Sequence, residues 1–288
     1  MERLHQQERH VAHRILDFAD ANVNVQNKYG ETALIAACYL GIPDVAHRIL
    51  ERADDANVNA QNKDGYTALI WACARNLPNM VHRILDRADD ANVNVQDKSG
   101  NTALIWACTH GMPNVAHRIL DRADDANVNV QNKRGNTALI WACAHEMLDV
   151  VHRILDRADA ENVNAQDNHG YTALIVACAH EMPDVALRIL DRADVNVQDN
   201  DGDTALIVAC YHKMPGVAHR ILDRDDVHVN SQNSNGDTAL TICSRNNDHL
   251  DTITTRIQEC SNGLGKTLKR KSTRSAYHEK ENKKRTKE

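Results

Sequence analysis

Two kinds of apolar run alternate along the chain. Residues 68 to 73 read Ala-Leu-Ile-Trp-Ala-Cys, apolar on every side, which predicts a short element buried all round. Thr67 just before it is a good helix N-cap, and with the alanines it favours helix over strand. Further on, Val81, Ile84 and Leu85 stand at helical spacing among His82, Arg83, Asp86 and Arg87. That spacing predicts a second helix with one apolar face and one wet face. Pro78 stands where this helix begins, and the first turn tolerates proline because its missing N–H has no partner there. All five prolines, Pro43, Pro78, Pro113, Pro183 and Pro215, occupy this one place. Asp89-Asp90-Ala91-Asn92 is expected to end the second helix, and Val93-Asn94-Val95 to run on as a short extended segment. Asn62-Lys63-Asp64-Gly65 reads as a turn in which glycine supplies a positive φ.

The whole pattern recurs. Gly30, Gly65, Gly100, Gly135, Gly170, Gly202 and Gly236 follow one another at 35, 35, 35, 35, 32 and 34 residues. A period of this size marks a stack in which each unit buries its apolar face only against its neighbours. The last unit is eroded: Thr238-Ala239-Leu240-Thr241-Ile242-Cys243 lacks the proline that follows elsewhere. Its second helix, expected over 250–260, would show Thr252, Thr254, Thr255, Arg256 and Gln258 to water, as a terminal cap should.

Gly65-Tyr66-Thr67-Ala68-Leu69-Ile70-Trp71-Ala72-Cys73, followed by Asn94-Val95-Gln96-Asp97, resembles the ankyrin repeat signature G-x-T-P-L-H-L-A-A with its later N-x-x-D. The resemblance runs over roughly residues 11–260. The chain departs from the signature at Ala68, where the family has proline, and at Ile70, where it has histidine. Its central units are longer, with the extra residues at Asp89-Asp90 expected to lengthen a turn. The resemblance implies an all-α fold, an α-solenoid of helix-loop-helix repeats with short β-hairpin turns. On that basis residues 1–26 form an N-terminal partial repeat; 27–61, 62–96, 97–131, 132–166, 167–198 and 199–232 are ankyrin-like repeats; 233–260 is a degenerate capping repeat; and 261–288 is a disordered basic tail.

Composition narrows the chemistry. Hydrophobic residues make up 42% and aromatic ones 3%, so the core must come from Ala, Leu, Ile, Val and Cys. No apolar run reaches the ~18 residues that span a bilayer, and the opening MERLHQQERH has no signal-peptide core. The expected location is intracellular, in cytoplasm or nucleus, with no membrane partner. Cys38, Cys73, Cys108, Cys143, Cys178 and Cys210 form a ladder, one per unit. Packed helices stand ~8–10 Å apart, too far for a disulfide or a shared zinc, so these are expected as small core residues. Neither metal nor cofactor is expected. His47, His82, His117, His152 and His219, each followed by arginine, are read as a solvated outer face. Trp71, Trp106 and Trp141 are expected to fill the core. Asp54-Asp55, Asp89-Asp90, Asp124-Asp125 and Asp225-Asp226 make an acidic edge. Gly263-Leu264-Gly265-Lys266-Thr267 falls short of a phosphate loop, because Cys260 stands where the first glycine belongs.

No catalytic residue set is defensible, since every candidate recurs at the same depth in every unit; the expectation is a non-enzymatic scaffold that binds a protein partner. Following the family, the binding surface is the hairpin tips: Tyr29, Glu31, Asp64, Tyr66, Ser99, Asn101, Arg134, Asn136, His169, Tyr171, Asp201 and Asp203. The exposed end of the first helix completes it with Tyr39, Arg75, His110, His145, His180, Tyr211 and His212. Tips vary while core letters repeat, which is what a display scaffold needs. Net charge is −6, but residues 266–288 hold ten Lys or Arg against three Glu, leaving −13 on the remainder. The acidic body points to a basic or amphipathic protein segment as partner, met by a monomer. In the tail, Arg270, Lys271, Lys283, Lys284, Arg285 and Lys287 have the two-cluster form of a nuclear import signal; they equally suit loose nucleic-acid attachment or a solubilising end. Two other readings stay open: a nuclear adaptor holding nucleic acid through the tail, and a substrate-recruiting subunit of a larger enzyme such as a ubiquitin ligase.

Overall fold

Threonine starts each inner helix. Thr67 is extended, and its hydroxyl accepts from the Ile70 N–H at 3.1 Å, satisfying one of the donors a helix start leaves open. Thr32, Thr102, Thr137, Thr172 and Thr204 cap in the same way. The computed structural model describes residues 22–245 and 251–262. It divides into two compact units, Met1–Asn168 and His169–Glu288.

In the first unit the helices are α1 Ala33–Tyr39, α2 Pro43–Leu50, α3 Asp55–Val58, α4 Ala68–Ala74, α5 Pro78–Leu85, α6 Asp90–Val93, α7 Ala103–Thr109, α8 Pro113–Leu120, α9 Asp125–Val128, α10 Ala138–Ala144, α11 Leu148–Leu155 and α12 Ala160–Val163. The second holds α13 Ala173–Ala179, α14 Pro183–Leu190, α15 Ala205–Tyr211, α16 Pro215–Leu222, α17 Ala239–Arg245 and α18 Asp251–Ser261. Within each unit the inner helices pack in succession (α1, α4, α7, α10; then α13, α15, α17), and so do the outer ones. Each unit is therefore an all-α stack of helical repeats. Proline opens five of the outer helices, and α11 forms with Leu148 in that place.

The core is aliphatic as expected. Ala68, Leu69, Ile70, Ala72 and Cys73 are buried from the inner helix, and Val81, Ile84 and Leu85 from the outer. Every cysteine of the ladder is buried, and none is in a disulfide. Burial pushes the Cys38 and Cys178 thiols up to about 12 and raises Cys73 and Cys108 as well, so these are inert core groups.

Asp89-Asp90 does not lengthen a turn, and Val93 is helical where an extended segment was expected to begin. In the 35-residue repeats these residues start a third, one-turn helix (α3, α6, α9, α12). Asp54, Asp124 and Asp159 cap it through the N–H of Asn57, Asn127 and Asn162, and it drops Val58, Val128 or Val163 into the core. The hairpin turns close by single antiparallel bridges, Gln61 to Thr67, Gln131 to Thr137 and Gln198 to Thr204, and no longer strand forms among the described residues. The tip consumes its own hydrogen bonds, leaving too few residues for a ladder.

Nor is the outer face simply wet. Arg87 reaches back one repeat to the carbonyls of Leu50, the last residue of the preceding outer helix, and of Ala53 just beyond it, and to the Asp55 carboxylate. Arg122 and Arg157 repeat that clasp. Arg83 joins His47 Nδ1 at 2.7 Å and Glu51 at 3.2 Å. Burial, then the adjoining guanidinium, holds the His47 pKa below its usual value. In the capping repeat, Ile253 and Ile257 are buried while Thr252, Thr255 and Gln258 are exposed; Arg256 is half-buried against Asp223. Residues 1–21 of the expected N-terminal partial repeat, 246–250 of the capping repeat and all of 263–288 lie outside the described residues.

Candidate functional site

The varying residues stand on a turn that does not vary. Asn62 Oδ1 accepts from the backbone N–H of Asp64 at 3.0 Å and of Tyr66 at 2.9 Å. Asn27 does this for Tyr29 and Glu31, Asp97 for Ser99 and Asn101, and Asn132 for Arg134 and Asn136. In the second unit Asp199 holds Asp201 and Asp203, and Asn233 holds Asn235 and Asp237. So the two side chains that differ between repeats are the two whose amides are pinned. Burial raises the Asp199 pKa, offset in part by the hydrogen bonds it accepts from the backbone of Asp203 and Asp201.

Neighbouring tips are also bonded together. Lys63 N–H donates to Tyr29 O, Lys98 to Asp64 O and Lys133 to Ser99 O, each at 2.9 Å. Asn200 to His169 O and Ser234 to Asp201 O continue the rule in the second unit. This closeness needs glycine: at Gly65 (φ +83°) a Cβ would stand 2.8 Å from Gln96 O and 2.9 Å from Asp97 Cα.

Tip and inner-helix residues meet in the first unit. Tyr66 stacks on Trp71 with ring centres 4.1 Å apart, Tyr39 meets that indole edge-on at 4.7 Å, and Arg75 lies 4.9 Å over Tyr39 and 5.7 Å over Trp71. Trp106 stacks with His110 and Trp141 with His145. Trp71, Trp106 and Trp141 are thus partly exposed rungs of this face, not core fillers. Their helix-mates four residues on are Arg75, His110 and His145, and that i, i+4 pairing with polar residues was the available sign. Burial, then the nearby Asp97 carboxylate, raises the Tyr66 pKa, and Asp97 also accepts from Trp106 Nε1 at 3.4 Å.

In the second unit His169 and Tyr171 rings lie 5.9 Å apart, and Tyr211 meets His212 edge-on at 5.2 Å. His212 Nδ1 stands 3.3 Å from the Glu181 carboxylate, and His180 is exposed at the end of α13. Tyr211 is exposed at 67%, against 37% for Tyr171. Among the described residues no three His, Cys, Asp or Glu side chains gather closely enough to hold a metal, and no helix is long and apolar enough to cross a membrane.

A family model for ankyrin repeats matches residues 5–97, 54–132, 123–199 and 174–258, most of the chain. The chain belongs to the ankyrin repeat family. No curated sequence matches it significantly. Among solved structures it is similar to the ankyrin repeat domain of Bcl-3, a unique member of the IkappaB protein family. That match has 25% identity and a TM-score of 0.51, covering 80% of this chain and all of that domain. Against the ankyrin signature, Ala68 and Ile70 stand where proline and histidine are usual, and the inner helix forms on its threonine cap regardless. The import-signal residues Arg270, Lys271, Lys283, Lys284, Arg285 and Lys287 fall outside the described part. Sequence reading missed the indole rungs and the arginine clasps as members of ankyrin faces.

Proposed function

We propose that this chain is a non-enzymatic scaffold that recognises a protein partner through its hairpin tips and inner-helix ends, using the repeats bounded above. Membership of the ankyrin family supports a protein–protein interaction role. The observation that carries the reading is the pinned turn. Side chains at 29/31, 64/66, 99/101, 134/136 and 201/203 change from repeat to repeat on backbone amides held in one geometry. Ordering is prepaid in such a surface, which leaves more of the contact energy for binding. In the second unit Asp201 and Asp203 suit a basic segment, while Asp237 is already paired with Arg245. We place the protein inside the cell, working as a monomer.

The test is an affinity capture from cells. It compares the full chain with a variant carrying Tyr66→Ala, Arg134→Ala, His169→Ala and Tyr171→Ala, with circular dichroism showing both folded. A discrete partner lost only from the variant is the expected result. Partners indifferent to the tips but lost on removing 266–288 would move recognition to the tail and end this reading.

A further inference from the structure

We propose that the tip-and-rung face of the first unit seats an acidic peptide segment in the polyproline II conformation, with an apolar side chain at every third residue. This rests on the protein-binding reading above. The indoles Trp71, Trp106 and Trp141 stand one per inner helix on α4, α7 and α10, which pack in succession. Rungs therefore recur at the packing distance of helices, ~8–10 Å. A polyproline II helix rises ~3.1 Å per residue with three residues per turn, so every third side chain returns to one face after ~9.3 Å. A β-strand covers a similar distance in three residues but turns the third side chain away. An α-helix returns every seventh residue after ~10.5 Å, longer than the rung spacing.

Hydrogen bonding on the face agrees. The amides of Lys63, Asp64, Gly65 and Tyr66 are all bonded within the tips, and those of Lys98, Ser99, Gly100 and Asn101 likewise. A guest strand would find no open backbone row to pair with. Polyproline II keeps its own backbone solvated and asks for aromatic surface instead.

Charge fixes the rest. Each tip beside a rung carries one lysine (Lys63, Lys98, Lys133), reinforced by Arg75 and Arg134. Asp64, already paired with Lys98, Asp97 against Trp106 Nε1, and Glu146 offset three of these five charges. The two positive charges left over across three rungs suit a segment with spaced carboxylates. They fall well short of a nucleic-acid strand, which carries a phosphate on every nucleotide. The second unit lacks both features: its rungs are Val176 and Val208, and Asn200 and Ser234 replace lysine.

The experiment titrates full-length chain into labelled (Leu-Glu-Pro)4 and follows anisotropy. Three further probes run beside it: (Leu-Lys-Pro)4, a peptide of the first composition with irregularly spaced leucines, and the oligonucleotide (dT)12. Expected is at least ten-fold tighter binding of the acidic triplet peptide than of any other probe, weakening several-fold on raising salt from about 50 to about 300 mM. Trp106→Val and Lys133→Glu should each weaken it about ten-fold with circular dichroism unchanged, and Val208→Ala should leave it as it was. Equal affinity for the two leucine spacings, preference for (dT)12, or no binding by a folded chain overturns the proposal. If that happens while tip-dependent capture of a partner in cells persists, only this inference falls; if capture is lost too, both do.

Discussion

The 35-residue repeats of the first unit and the shorter ones of the second solve one packing problem in two ways. In the first, Asp54, Asp124 and Asp159 cap a one-turn helix that delivers Val58, Val128 and Val163 to the core. In the second, three residues are missing after Ala193 and no such helix forms, yet Val195 is just as buried. The bond between successive connections survives as well. Asn59 Oδ1 accepts from Asp89 N–H at 3.0 Å, and Asn196 Oδ1 accepts from His228 N–H at 2.7 Å. What registers one repeat on the next is therefore the valine and the asparagine, and the one-turn helix is a spacer between them. The faces differ too: indole and lysine in the first unit, valine and aspartate in the second. All three tryptophans lie in the first unit, so their fluorescence reports its unfolding apart from the circular dichroism of the whole.

Alkali should separate the units most strongly. The buried thiols of Cys38, Cys73 and Cys108 have raised pKa values, so their stabilising effect is complete below about pH 9 and is lost as pH climbs from about 9 towards 12. At pH 10 each thiol ionising only in the unfolded chain costs about 1.4 kcal/mol, or about 4 kcal/mol for the first unit. The second unit loses less: Cys178 behaves alike, but Cys243 moves down as Cys210, hydrogen-bonded to it and buried, moves up. Urea melts at pH 8 and 10 should show the fluorescence midpoint falling further than the dichroism midpoint, and Cys73→Ala should remove about a third of the first unit's loss.

Glycine gives the next largest contrast. Gly65→Ala forces a Cβ against backbone of the following tip, in addition to its positive φ, and should cost about 3 kcal/mol. Gly236 has a similar φ of +77° but nothing within 4 Å, so Gly236→Ala should cost about 1 kcal/mol. Equal losses in urea titrations would mean that the tip-to-tip ladder contributes nothing to rigidity.

How much of this was readable beforehand follows from how local each cause is. Threonine caps, prolines at the first helical turn and the glycine turns act within a few residues, and they stand out in the sequence. The one-turn helix at Asp90–Val93 is too short for any periodicity to register; only its Asp-x-x-Asn cap, one residue before it, marks it. Trp71 looked buried because its neighbours in sequence are apolar, whereas Arg75, one turn away, showed the face to be open. Arg87 and Arg122 looked like surface charges because their partners lie more than thirty residues back, and nothing near them in sequence names those partners. Their sign was that His-Arg-Ile-Leu-Asp-Arg repeats almost letter for letter, polar positions included, which a merely wet face does not require.

The smallest effect tests those clasps. Arg122→Met removes bonds to Leu85 O, Ala88 O and Asp90, and should cost the first unit about 2 kcal/mol. Arg224 donates to Leu190 O in the preceding repeat, feels the Asp194 carboxylate there and spends its other hydrogen bonds on Asp226 two residues away, so Arg224→Met should cost about 1 kcal/mol. Matching shifts in thermal melts would show that the backward reach adds nothing.

Those backward-reaching arginines also set how the chain bears load. Each is a rivet joining one repeat to the one before it, so tension on a stretch of the first unit is carried link by link, not shared across a single core. A link that fails pays out its 35 residues. At ~3.5 Å per extended residue that is ~120 Å of contour, in place of a rung ~10 Å thick. Under force such a stretch lengthens in separate steps of about 110 Å, with every unbroken rivet leaving its tip and rung in working order.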